Sequence, residues 1–189
     1  MARFVSHRPH ETRQFAKRIL AALLRERRGA VVLALAGELG TGKTTFIQGL
    51  ASSLGIRGHV QSPTFVLVRT HPIPKQFHQF HPVTTRTPHS LRRGEGENSR
   101  NSSEAPAFRP GCNGVHHVHH FVHIDAYRLD SLAEARRLGL KDILKDRDAI
   151  VVIEWADRIR KLIPRGAIWL RFTHGKRSLE RVIKVSNFQ

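Results

Sequence analysis

The stretch Ala30-Val31-Val32-Leu33-Ala34-Leu35-Ala36-Gly37-Glu38-Leu39-Gly40-Thr41-Gly42-Lys43-Thr44 decides the fold. Its first seven residues are an unbroken apolar run, of the kind required by a strand covered on both faces. Beyond it, Thr44 to Leu54 places Phe46, Ile47, Leu50 and Leu54 on one side of a helix that Gly55 closes. The link between them, Gly37 to Thr44, fits G-x-x-x-x-G-K-[ST] in full. Average residue frequencies produce such a match by chance in roughly one chain of this length in a hundred or fewer. Each residue type has a physical reason. Glycines let the backbone turn so that successive N–H groups point inward, and the helix N-terminus adds positive potential where phosphates sit. Lys43 then reaches the β- and γ-phosphates as a point charge, and the Thr44 hydroxyl joins a Mg²⁺ shell.

Working outward, Glu11 to Arg27 carries Phe15, Ile19, Leu20, Leu23 and Leu24 at helical spacing. Val60 to Val68 reads as an extended segment interrupted early by Pro63. From His71 to about Val118 the apolar periodicity collapses into Pro, Ser, Asn, Gly, Arg and His, the composition of a low-complexity insertion. Its His116, His117, His119 and His120, with His123 beyond, are candidate metal ligands, but they lack regular Cys/His spacing, and Cys112 stands alone. Order returns at Phe121 to Ile124, a strand that runs into Asp125. Ser131 and Glu134 then form a capping box for a helix that ends at Gly139. Ala149 to Trp155 is a second apolar strand, and it delivers Glu154. Asp157 to Leu162 is a short basic helix, and Ile168 to Phe172 with Arg181 to Val185 make a closing hairpin about Gly175.

These elements predict one α/β domain over residues 1–189: a three-layer sandwich of the P-loop NTPase type, with a mostly parallel central sheet and a C-terminal antiparallel hairpin. A hydrolytic nucleotide site also needs carboxylates at the ends of strands beside the phosphate loop, to hold metal and position water. Asp125 and Glu154 stand at those ends, with a helix cap or a surface ion pair as the plainer reading of each. Thr64, in Ser62-Pro63-Thr64-Phe65, stands where a switch segment would sense the γ-phosphate.

The net charge of +17 asks for a polyanionic or acidic partner. Eight Lys/Arg face Glu11 and Glu26 in residues 1–28, and nine face Asp157 and Glu180 in residues 156–184, so both ends are basic. A generally basic solvated surface and a footprint for tRNA both fit this balance. With no apolar run of eighteen residues and no signal-peptide core, the expectation is a cytoplasmic protein without membrane contact.

Taken in order, Gly37 to Thr45, Ser62-Pro63-Thr64-Phe65, His123-Ile124-Asp125-Ala126-Tyr127-Arg128-Leu129, Glu134 with Gly139-Leu140, and Ile153-Glu154-Trp155 resemble the motif series of the TsaE (YjeE) family. Glu11-Thr12, which opens the first helix, is similar to that family's start. The likeness spans nearly all of the chain outside His71 to Val118. It implies an ATPase that binds ATP and Mg²⁺, hydrolyses slowly alone, and assists TsaB and TsaD in making threonylcarbamoyladenosine in tRNA. Carried over, the phosphate loop is Glu38, Leu39, Gly40, Thr41, Gly42, Lys43, Thr44 and Thr45. Asp125 is the Walker-B-like acid, with Thr44, Asp125 and Glu154 at the metal. Thr64, Glu154 and Trp155 form the switch and catalytic edge, and Glu11 and Thr12 lie near the base. Trp155 as a core aromatic and Thr12 as a helix cap are the alternatives. A small P-loop kinase and a nucleotide-dependent RNA-binding module are the rival functions. The kinase lacks an arginine-rich lid pattern, and the charge balance favours the RNA reading.

Overall fold

The structure, a computed structural model, describes residues 2–26, 30–58, 60–77 and 118–186. Seven strands form one sheet in the order β1-β7-β6-β2-β5-β4-β3. The strands are β1 (Ala2–Ser6), β2 (Val31–Gly37), β3 (Val68–Pro72), β4 (His120–Asp125), β5 (Ala149–Glu154), β6 (Ile168–His174) and β7 (Arg181–Ser186). The centre, β6-β2-β5-β4, is parallel, whereas β1, β7 and β3 pair antiparallel at the two margins. Every residue of β5 is buried, as is every residue of β2 before Gly37, which explains why both read as continuous apolar runs.

Strand alternation divides the core into two layers. Val31, Leu33 and Leu35 face α1 (Pro9–Glu26) and α2 (Lys43–Ser53), while Val32 and Ala34 face the layer of α3 (Leu132–Arg137) and α4 (Leu140–Ile143). This is the expected three-layer arrangement. On the first side, Phe4, Phe15, Phe46 and Phe172 make successive ring contacts at 4.2, 6.2 and 5.6 Å, tying β1, α1, α2 and β6 together. Gly49 sets the approach of the two helices, because a Cβ there would meet the Arg13 Cα at 2.7 Å and the Ala16 Cβ at 2.9 Å.

Two expectations need correction. The segment Val60 to Val68 is not a strand: Thr64 to Val66 form a turn in which Pro63 O accepts from Val66 N and Leu67 N. Leu67 then takes a φ of 62°, and the strand begins only at Val68. The edge strand β3 thus includes His71 and Pro72, and Ile73 and Val118 are buried in the core, so the ordered fold continues past the expected boundary at both ends of that segment. Residues 78–117, the rest of the expected insertion, lie outside the described residues, as do His116, His117 and Cys112. The short basic helix expected at Asp157 to Leu162 is present as a 3₁₀ helix, Ala156–Leu162. Strand β1 was not anticipated. Its Arg3 and Ser6 hide a pattern that only pairing with β7 makes extended.

Among the described residues no helix is long and apolar enough to cross a membrane.

Candidate functional site

The register of the parallel strands builds the site. Asp125 pairs with Glu154 across β4 and β5, and Glu154 pairs with Leu35 of β2 two residues before Gly37, so both acids stand beside the glycine loop. Both side chains share the face of the sheet that carries α2. They are almost fully buried, at 3% exposure each, and so is Lys43 at 4%.

The loop's glycines are conformational necessities at its two ends. Gly37 has a φ of 138°, and a Cβ on it would fall onto the Phe172 carbonyl oxygen. Gly42, with a φ of 96°, turns the chain into α2. Inside this turn the Lys43 Nζ donates to Gly37 O at 2.8 Å and to Glu38 O at 2.7 Å. Thr41 Oγ1 also donates to Glu38 O, at 2.7 Å. An ammonium has three N–H donors, so two brace the loop and one remains for a ligand. From outside, Arg181 Nε donates to Gly40 O at 3.0 Å, and His174 Nε2 lies 3.3 Å from Leu39 O. The hairpin of β6 and β7 thereby holds the loop open from the far side.

Burial pulls the Lys43 pKa below the ordinary lysine range, and the negative charges of Glu154, Asp125 and Asp157 partly offset that pull. The Trp155 ring lies 4.0 Å beneath the same ammonium and packs against Tyr127 at 5.0 Å. Trp155 reaches that place because its backbone is left-handed, with a φ of 58°, directly after β5. Such a conformation costs a bulky residue about 1–3 kcal/mol and collects at functional sites.

Each carboxylate has its own partners. Thr44 Oγ1 donates to Glu154 Oε2 at 3.1 Å, and the buried His123 Nε2 stands 2.9 Å from Glu154 Oε1. A carboxylate only accepts, so the proton of that pair sits on Nε2. His123 Nδ1 is buried and has no hydrogen-bond partner among the described residues. Asp125 Oδ2 accepts from the hydroxyls of Ser62 and Thr64, and Oδ1 accepts from Tyr127 N at 2.9 Å. Replacing His123 with leucine leaves the buried Glu154 Oε1 without its imidazole partner, with Thr44 still donating to Oε2. Urea unfolding should show a loss of about 1–3 kcal/mol, and His123→Gln should recover part of it.

These groups line a cleft of about 380 Å³ bounded by Leu39, Gly40, Gly42, Lys43, Thr44, Thr45, Ser62, Thr64, Asp125, Tyr127, Glu154 and Trp155. A larger hollow of about 530 Å³ near Gln48, Gly55, Arg57 and Phe77 has no acid in its lining, so the chemistry concentrates in the smaller one. Most expected residues converge on the cleft, but four do not line it. Glu38 contributes its carbonyl to Lys43 while its side chain is exposed, and the buried Thr41 braces the loop. Glu11 accepts from His7 N at 2.7 Å, a bond that holds its carboxyl below the usual range. Thr12 is not a cap: it lies inside α1, and its Oγ1 is 2.8 Å from Ser6 Oγ. Sequence reading missed His123, Ser62, Tyr127, His174 and Arg181 as site components. Among the described residues no three Asp, Glu, His or Cys side chains group as a metal cage, and His123 is engaged by Glu154.

Comparison with known proteins finds relatives over most of the chain. The Streptomyces coelicolor tRNA threonylcarbamoyladenosine biosynthesis protein TsaE is 36% identical over 159 residues, spanning 79% of this chain and 76% of its own. The Bacillus subtilis protein of that name is 27% identical over 157 residues, spanning 83% of this chain and 68% of its own. The crystal structure of Bacillus subtilis YdiB shares the fold, with a TM-score of 0.58 and 23% identity over 96% of this chain and 82% of that one. The profile of the family described as threonylcarbamoyl adenosine biosynthesis protein TsaE matches residues 6–83 and 101–183. It thus runs into both ends of the expected insertion and leaves residues 84–100 between its two matches. With the profile spanning most of its length, this chain belongs to the TsaE family of threonylcarbamoyl adenosine biosynthesis proteins.

Proposed function

We propose that the chain is a Mg²⁺-dependent P-loop ATPase, slow on its own, that acts with TsaB and TsaD in threonylcarbamoyladenosine modification of tRNA. The observation that carries this reading is Lys43, held in the glycine turn between its own loop carbonyls and two buried strand-end acids. That arrangement presents backbone N–H groups, a helix N-terminus and one remaining ammonium donor to a polyphosphate. Thr44 with Glu154, and Asp125 with its two hydroxyl donors, offer only hard oxygen ligands, the type that Mg²⁺ takes. The lack of an all-protein cage among the described residues suits an ion that keeps water and borrows phosphate oxygens. When bound, Mg²⁺ would neutralise phosphate charge there.

The residues divide the remaining work. Glu154, oriented by His123 and Thr44, takes up the proton of the attacking water or holds that water in line. Thr64 reports the γ-phosphate through its 2.7 Å bond to Asp125, since a ligand that competes for either group shifts the turn at Thr64 to Val66. Leu39, Phe65 and Val66 stand exposed at this rim, where a changed turn would be read by a partner protein. Calorimetry tests the nucleotide reading: ATP and ADP should each bind with one-to-one stoichiometry, and a folded chain that ignores both overturns it. Co-purification with TsaB and TsaD, retained with ATP and lost without it, tests the partnership.

A further inference from the structure

The antiparallel half of the sheet has a second face that none of the described α-helices covers. Leu170, Phe172, Ile183 and Val185 turn inward to α1 and α2, so Trp169, Arg171 and Thr173 of β6, Lys184 of β7 and Arg3 of β1 point the other way. The register places three of these in one row: Arg3 is opposite Lys184, and Lys184 is opposite Arg171. Neighbouring strands lie about 4.8 Å apart, so three cations stand side by side within roughly 10 Å.

Like charges directly opposite one another on a sheet oppose folding. All three are exposed, and none of their side chains makes a hydrogen bond or ion pair with a described residue. Arg160 extends the row, its guanidinium 5.2 Å from the Trp169 ring, and Thr173 adds a hydroxyl beside Arg171. Across residues 168–186 five Lys/Arg face the single acid Glu180. A fold that keeps an uncompensated cationic row on an open, rigid surface gains from it when an anion with repeated charges lies along it.

We infer that this face, Arg3, Lys184 and Arg171 with Arg160 at its end, binds the phosphate backbone of RNA, and that tRNA is its ligand. A membrane of anionic lipid offers the same charge. RNA is favoured because the family acts in tRNA modification, and because a row of fixed cations matches a line of phosphates better than a diffuse lipid surface. The face is opposite the one that carries Asp125 and Glu154, so the inference stands apart from the nucleotide reading and is tested without ATP.

The test measures binding of an unmodified tRNA transcript to the full chain by fluorescence anisotropy between about 50 and 200 mM salt. The wild-type protein should bind, with affinity that falls steeply with salt. The triple variant Arg3→Gln, Arg171→Gln and Lys184→Gln should lose at least about tenfold at the lowest salt, and its log–log salt slope should flatten by about two to three. Its Tm should hold or rise, because repulsion is relieved. Lys184→Glu alone gives both arginines a carboxylate partner, so it should raise Tm while weakening tRNA binding. Absence of wild-type binding at the lowest salt, or unchanged affinity in the triple variant, overturns the inference. So does row-dependent capture of phosphatidylserine vesicles with no row-dependent binding of tRNA.

Discussion

Lys43→Ala is expected to weaken ATP and ADP binding by roughly a hundredfold or more, about 2.7 kcal/mol at tenfold per 1.4 kcal/mol. Two losses combine. The phosphate loses a charge-assisted donor, worth about 1.5–3 kcal/mol. The loop loses the two internal bonds to Gly37 O and Glu38 O that hold its turn before any ligand arrives. Burial lowers the Lys43 pKa, so the ammonium is already partly stripped of water and gains from meeting a phosphate. Lys43→Arg should not rescue binding, because a planar guanidinium cannot take the place of a compact ammonium enclosed by carbonyls and the Trp155 ring. Calorimetry on both variants decides the matter, and wild-type affinity in Lys43→Ala would end the assignment.

Glu154→Ala should behave differently. We expect kcat for ATP hydrolysis to fall by about 10²- to 10³-fold, the range for loss of a positioned general base. Nucleotide Kd should change by less than about fivefold, or about 1 kcal/mol. The reason is that Glu154 faces Thr44 and His123 and leaves the loop's hydrogen bonds to Lys43. A group that acts mainly in the transition state lowers kcat without weakening ground-state binding. Glu154→Gln, which preserves volume and an acceptor for His123, separates the lost charge from a collapsed cavity. It should show the same kcat loss with native stability. Equal losses in binding and turnover would contradict the role.

Much of this arrangement was legible before any coordinates. The apolar runs ahead of Gly37 and Glu154 are strands, and Asp125 ends the third. Ser131 caps α3 as spaced, with Glu134 N donating to its Oγ at 3.1 Å, while the Glu134 carboxylate reaches one residue further back and accepts from Asp130 N. His123 was also within reach: two residues before Asp125 on a strand means the same face, so the position was visible even though the partner was not. What stayed hidden depends on distant parts of the chain. Pairing with β7 makes β1 a strand, and the register of β6 with β2 brings His174 and Arg181 to the loop from more than a hundred residues away. The segment about Pro63 misled for a local reason, since its carbonyl closes a turn before extended structure begins.

The chain has two tryptophans, and the fold packs both against the layer of α3 and α4, one at the cleft and one out on β6. Trp155 lies under the Lys43 ammonium, the group proposed to meet a nucleotide, whereas Trp169 lies under the Arg160 guanidinium beside the cationic row. The protein therefore contains two built-in optical gauges, one at the cleft and one beside the row of cations. With either indole replaced by phenylalanine, ultraviolet emission from the other should report binding beside its own cation without any attached dye.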